Sequence, residues 1–200
     1  HRGMASRGLD AFLGESGGIA AVLRSMRVHL KNANVQAMGC WSLVNLALNH
    51  QQKLALLALD GLDAVLAAMA HHPTTLEVQF RALFALINLV IPEAGSVSTN
   101  TMDCGENAAH ARVVRGVLAA MRHFPESEKL VRCGCLVLHN LSLDDKNVPH
   151  LLAFGVARPL QRAARSHKDA DVQRSAVSTL RRLRVAVAPE VDVLQPTLRM

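Results

Sequence analysis

The sequence predicts an all-α fold made of about four tandem three-helix repeats. Three observations carry that prediction. An asparagine preceded by a bulky residue four positions earlier recurs along the chain, as Trp41/Asn45, Phe84/Asn88 and Leu136/Asn140, in steps of 43 and 52 residues. A recurrence of that size is the signature of a repeat architecture. The apolar half of the composition is mainly Leu, Ala and Val, with 3% aromatics and no Tyr, and Leu and Ala are strong helix formers. Glycine punctuates the chain before apolar stretches, at Gly17-Gly18, Gly61 and Gly155.

The elements follow in order. Residues 4–17 predict one short helix, with Leu9, Phe12 and Leu13 as its apolar positions, and residues 19–30 a second, with Ile19, Val22, Leu23 and Met26 at helical spacing. Asn32 or Asn34 caps a long helix over 33–48, which Asn49-His50 breaks. The pattern then restarts, with a short helix over 51–59, a stop at Asp60-Gly61 and a medium helix over 62–70. His71-His72-Pro73 breaks the chain again, and Thr74 or Thr75 caps a long helix to about Val90. A shift of 43 residues superposes Met26 on Met69, Val35-Gln36 on Val78-Gln79, and Trp41 on Phe84.

Residues 92–107 are rich in Gly, Ser, Thr and Asn and predict an inserted surface loop, which accounts for the longer second step. A third unit has a short helix over 108–114, a medium helix over 116–124 and a long helix to Leu143. The fourth spans 144–187, with Ser178 at the aromatic position and Arg182 at the asparagine position. The repeats are thus 9–48, 50–91, 106–143 and 144–187, forming a single domain over 1–200, with 188–200 as a tail or cap.

Charge and chemistry bound the function. The net charge is +6, and residues 151–200 carry nine Lys or Arg against four Asp or Glu. The longest strongly apolar runs, 54–59 and 82–91, fall short of the roughly 18–20 residues that span a bilayer. No apolar leader follows the first basic residues, so the expectation is a soluble, cytoplasmic protein, with the nucleus as an alternative. Cys133 and Cys135 sit about 200° apart on one helix and cannot share a metal. Cys40 and Cys135 each sit five residues before a repeated asparagine and read as small core hydrophobes. No phosphate loop, nucleophile elbow or metalloprotease motif occurs, so neither an enzyme nor a cofactor is expected.

Helical units of about 42 residues with short, medium and long helices resemble the armadillo repeat. The junctions Gly17-Gly18-Ile19, Asp60-Gly61-Leu62 and Phe154-Gly155-Val156 carry the resemblance. So do the long helices VQAMGCWSLVNLA (35–47) and VQFRALFALINLV (78–90). It covers about residues 9–187 and implies a right-handed α-α superhelix, with the third helices lining a concave groove. The Trp-x-x-x-Asn pair of peptide-binding members is matched by Trp41 and Asn45. The resemblance implies that Asn45, Asn88 and Asn140 hydrogen-bond the backbone of an extended peptide while Trp41 and Phe84 wall its side-chain pockets. Leu136, Ser178 and Arg182 depart from the pattern, which confines the expected binding to the first three repeats. The structural alternative is that the asparagines only tie one repeat to the next.

The same helix face also carries Met38, Ser42, Phe80, Arg81, Arg132, Val137, Arg174 and Thr179 by spacing. With Arg182 this predicts a basic groove without a placeable carboxylate, and hence an acidic or phosphorylated extended segment as partner. The alternative is that the arginines bridge to acidic residues of neighbouring repeats. A regulatory or self-associating module is the second functional reading. Nucleic-acid binding is less favoured, because few aromatics are present to stack bases.

Overall fold

The computed structural model describes residues 17–91 and 104–187, with side chains in the second segment from residue 108. The helix expected over 4–17, most of the inserted loop and the 188–200 tail lie outside the described residues. Ten helices and no strand occur among the described residues. They are α1 (17–28), α2 (Ala33–Leu46), α3 (His50–Ala58), α4 (Gly61–His71) and α5 (Leu76–Leu89). After the insertion come α6 (Cys104–His123), α7 (Glu128–Leu141), α8 (Asn147–Ala153), α9 (Ala157–Ser166) and α10 (Ala170–Arg182). The long helices pack in succession, α2 on α5, α5 on α7 and α7 on α10, and α4, α6 and α9 back α5, α7 and α10 respectively. One continuous apolar core runs through the stack, from Ile19 to Leu183.

Local chemistry sets the helix boundaries. The Asn32 side chain accepts from the backbone N–H of Asn34 and Val35, and Asn49 from that of Gln52. Asp169 does the same for Asp171 and Val172. Each satisfies donors that a helix start leaves open. Asn49, expected only to break the pattern, is therefore the N-cap of α3. Thr75 precedes α5 without a side-chain capping bond.

The two junction glycines that align in sequence do different work. At the α3–α4 junction the left-handed residue is Asp60, with φ of 60°. Gly61 is needed for space, since a Cβ there would lie 2.7 Å from the Leu56 carbonyl oxygen. At the α8–α9 junction Gly155 itself takes the left-handed conformation, with φ of +74° and open space around it.

The third unit departs from expectation. Residues 108–124 do not form two helices, and residues 104–107 are not loop; α6 runs unbroken for 20 residues. The glycine that breaks the chain at 61 has no counterpart here, and Gly116 lies inside α6, where glycine weakens a helix by about 1 kcal/mol without ending it.

Buried glutamines lock medium helices to long ones. Gln36 Nε2 donates to the carbonyls of Met26 (2.8 Å) and His29 (3.0 Å). Gln79 Nε2 donates in the same way to Met69 (2.8 Å) and His72 (2.9 Å). Gln173, half-buried, reaches His167 O from Nε2 at 2.8 Å. These carbonyls close the previous helix or the turn after it and have no intrahelical donor of their own. Nearby, the Met26 and Met121 side chains lie against Gly39 and Gly134, where a Cβ would approach them to 2.4 and 2.7 Å.

Two substitutions test this architecture by urea denaturation. Gln79→Leu strands the buried Met69 carbonyl, while His72 O keeps the Thr75 N–H, and is expected to cost about 1–3 kcal/mol. Gly61→Ala is expected to cost about 1–3 kcal/mol through overpacking against the Leu56 carbonyl. An unchanged midpoint in either variant contradicts the corresponding role.

Candidate functional site

The long helices α2 and α5 bring the aromatic candidates together. The rings of Trp41 and Phe84 are 5.9 Å apart and tilted by 36°, and Phe80 stacks on Phe84 at 6.2 Å. Arg81 places its guanidinium 5.6 Å from the Trp41 ring centre, and its Nη1 lies 3.1 Å from Met38 Sδ. Its Nε meets Glu77 Oε1 at 2.5 Å, one helical turn earlier on α5. Trp41 remains 39% exposed and Met38 57% exposed, so the cluster presents apolar area to solvent rather than closing over it. A cation over an indole face is worth about 0.5–1 kcal/mol at an exposed site, and the carboxylate fixes the guanidinium there.

The amides are partly engaged inside the fold. Asn140 Nδ2 donates to Ile87 O at 2.8 Å, and Asn88 Nδ2 donates weakly to Val44 O at 3.5 Å. Each reaches the carbonyl one residue before the preceding asparagine. At the fourth rung Arg182 substitutes a longer reach, donating to Ser142 O (2.9 Å) and Leu143 O (2.8 Å) and pairing with Asp145 at 3.0 Å. Asn45 is exposed, and its carboxamide bonds to no other described residue. A carboxamide has two N–H donors and an acceptor oxygen. Asn88 and Asn140 thus commit one donor to the stack, and no described residue donates to their Oδ1.

The expectation of arginines without carboxylates is corrected. Arg81 pairs with Glu77, Arg182 with Asp145, and Arg132 with Asp171 at 3.2 Å, while Arg174 shares that same Asp171. Glu77 was legible in sequence as an i,i+4 partner of Arg81, and Asp171 as an i,i+3 partner of Arg174; Arg182–Asp145 and Arg132–Asp171 are tertiary contacts. Val137 and Thr179 do not line the face. Both are buried, and Thr179 Oγ1 donates to Cys135 O (3.2 Å) and Ser175 O (2.7 Å). Leu136 is half-buried on α7.

Sequence reasoning passed over Lys53, which is buried on α3 and donates from Nζ to Ile91 O at 2.7 Å. Its spacing of three from the buried Leu56 was the available signal. Cys40, Cys133 and Cys135 are buried free thiols. Burial pushes Cys40 and Cys135 up to about 12 and Cys133 to about 11, so all three are protonated at neutral pH. The Cys104 side chain lies outside the described residues. Among the described residues no group of three His, Cys, Asp or Glu could hold a metal, and no single helix is long and apolar enough to cross a membrane.

No family model matches the chain, and no curated protein matches it.

Two measurements probe this face. Asn140→Ala is expected to cost about 1 kcal/mol of stability. Asn88→Ala, with its 3.5 Å bond, should cost less. The reverse order in urea melts contradicts the ladder geometry. Burial, followed by the nearby Arg182 charge, holds the His139 imidazole below its ordinary 6.5. On acidification the unfolded chain therefore takes up that proton first. Stability is expected to fall as pH drops below 6.5 towards the folded value and to be unaffected by this group above 6.5. His139→Gln should shrink the difference between urea midpoints at about pH 7.5 and 5.5; an undiminished difference contradicts the assignment.

Proposed function

We propose that the chain is an armadillo-type repeat scaffold that binds an extended peptide segment across the face formed by α2, α5 and α7. In this reading the successive long helices form the concave side of a right-handed superhelix. The observation that carries it is the half-exposed cluster of Trp41, Phe84, Phe80 and Met38, with Arg81 pinned over the indole. Preorganised aromatics beside an arginine are the composition of interface hot spots. Asn45 offers a whole carboxamide to a peptide unit, and Asn88 and Asn140 each offer the acceptor and remaining donor. An apolar partner side chain would pack against Trp41 and Phe84.

A preference for acidic or phosphorylated segments is strongest towards α7 and α10. There Arg132 and Arg174 share the single carboxylate of Asp171 and retain a positive excess. Self-association is the second reading, favoured by exposed Leu54 and Leu57 on α3 and Leu59 just after it.

Selection of peptides from a random-sequence phage library on the immobilised protein tests the first reading. Trp41→Ala with Asn45→Ala is expected to weaken the selected peptides by roughly tenfold or more while leaving circular dichroism unchanged, with a loss of about 1–2 kcal/mol in urea from the Phe84 and Arg81 contacts of the indole. Binding that survives this pair sinks the proposal. A mass that rises with concentration in light scattering, and falls in Leu54→Lys, would favour the second reading.

A further inference from the structure

We propose that the cleft between α6 and α9 is a separate anion site that takes a phosphorylated serine or threonine of a peptide partner, with an apolar residue beside it. The cleft has a volume of about 370 Å³. Arg122 at the end of α6 and Arg158, Arg162 and Arg165 on α9 rim it. The α9 arginines stand at spacings of four and three, which puts them in one stripe where like charges repel. Among the described residues none of the four pairs with a carboxylate, whereas Arg81, Arg132, Arg174 and Arg182 each meet one. The uncompensated positive charge thus gathers at this cleft rather than on the aromatic face.

The protein contains its own comparison. A cleft of about 400 Å³ lies one unit earlier, between α4 and α6. Both are built on the same frame, with Val113, Val117 and Ala120 buried on α6 where Val156, Leu160 and Ala163 are buried at or just before α9. Met69 and Pro73 line the earlier cleft as Met121 and Pro125 line the later one. Yet Ala70 stands in the position of Arg122, and Ala119 in that of Arg162. The earlier cleft's Arg112 is tied to Asp63 at 2.5 Å, and its Arg115 lies over the Phe154 ring. Packing therefore does not demand Arg122 and Arg162, whereas Arg158 and Arg165 have arginine counterparts in Arg115 and Arg122. The two helices there also stand further apart, since α4 packs closely on α6 and α9 does not.

The lining selects the ligand. Guanidinium forks bind carboxylate and phosphate oxygens in pairs, and several forks around one cleft suit a dianion better than a single carboxylate. The floor of Met121, Val131 and Pro159 accepts an aliphatic side chain next to the anion. No Phe, Tyr or Trp lines the cleft, and the His167 imidazole is the one aromatic ring in its lining, a small platform for stacking successive nucleic-acid bases. A peptide fits both halves of this surface.

The test is fluorescence anisotropy with a labelled peptide pool that carries a central phosphoserine between randomised positions, set against its unphosphorylated twin at physiological salt. The phosphorylated pool is expected to bind at least about tenfold more tightly. Arg122→Ala with Arg162→Ala, and separately Arg158→Ala with Arg165→Ala, should remove that difference while circular dichroism stays unchanged; Arg81→Ala should leave it intact. Equal binding of the two pools, or a difference that persists in both double variants, overturns the proposal. So does tighter binding of random single-stranded RNA or phosphatidylserine vesicles than of the phosphorylated pool. Because these arginines are remote in sequence from Trp41 and Asn45, failure here leaves the aromatic face to be judged by its own experiment.

Discussion

Every helix ends with backbone carbonyls that have no partner within the helix itself, and in this protein side chains from other elements close many of them. Gln36 and Gln79 do so for the ends of α1 and α4 and the turns that follow. Asn88, Asn140 and Arg182 do so for the ends of α2, α5 and the turn after α7. Lys53 adds a buried charge to the carbonyl just beyond α5. The apolar core supplies the driving force for stacking, but it is non-directional. These polar ties are directional, and they set how far one long helix sits from the next. The exposed aromatic cluster inherits its geometry from that spacing, because Trp41 and Phe84 come from different units.

The ties also sharpen the meaning of the repeated asparagine. The structural and recognition readings are compatible, because one carboxamide carries more hydrogen-bonding capacity than either requires. Asn45, the first rung, is the one whose amide is uncommitted, and it is also the one next to the tryptophan. Towards the C-terminal end the side chain at this position commits its Nε and Nη2 donors to backbone carbonyls and Asp145. The gradient along the ladder is therefore from an open amide to a tied guanidinium.

Much of this was legible in the sequence because periodicity is a short-range property. The recurring Val-Gln pairs, methionines and asparagines are visible on a linear alignment of the chain with itself, and Cys40 and Cys135 could be placed in the core by register alone. The role of Gln36 and Gln79 was not legible, since nothing local distinguishes a buried amide from an exposed one. The pairings of Arg182 with Asp145 and of Arg132 with Asp171 were hidden for the same reason, as packing brings these residues near. The unbroken α6 escaped because a missing break is harder to read than a present one. The pairing of Gly61 with Gly155 was misleading in a physical sense, one glycine answering a steric demand and the other a dihedral one.

The side-chain bonds between units share a further property. Asn140 to Ile87 spans 53 residues, and the other ties between units described above span 37 to 49. Each therefore joins a unit to its immediate neighbour, and none of them reaches past it. A topology of that kind keeps loop-closure costs small, so folding can begin in whichever unit forms first and spread outward in either direction. Opening should be graded in the same way. Opening of one unit would break its ties to the units beside it and leave the remaining ties in place, so hydrogen exchange should differ from unit to unit along the stack.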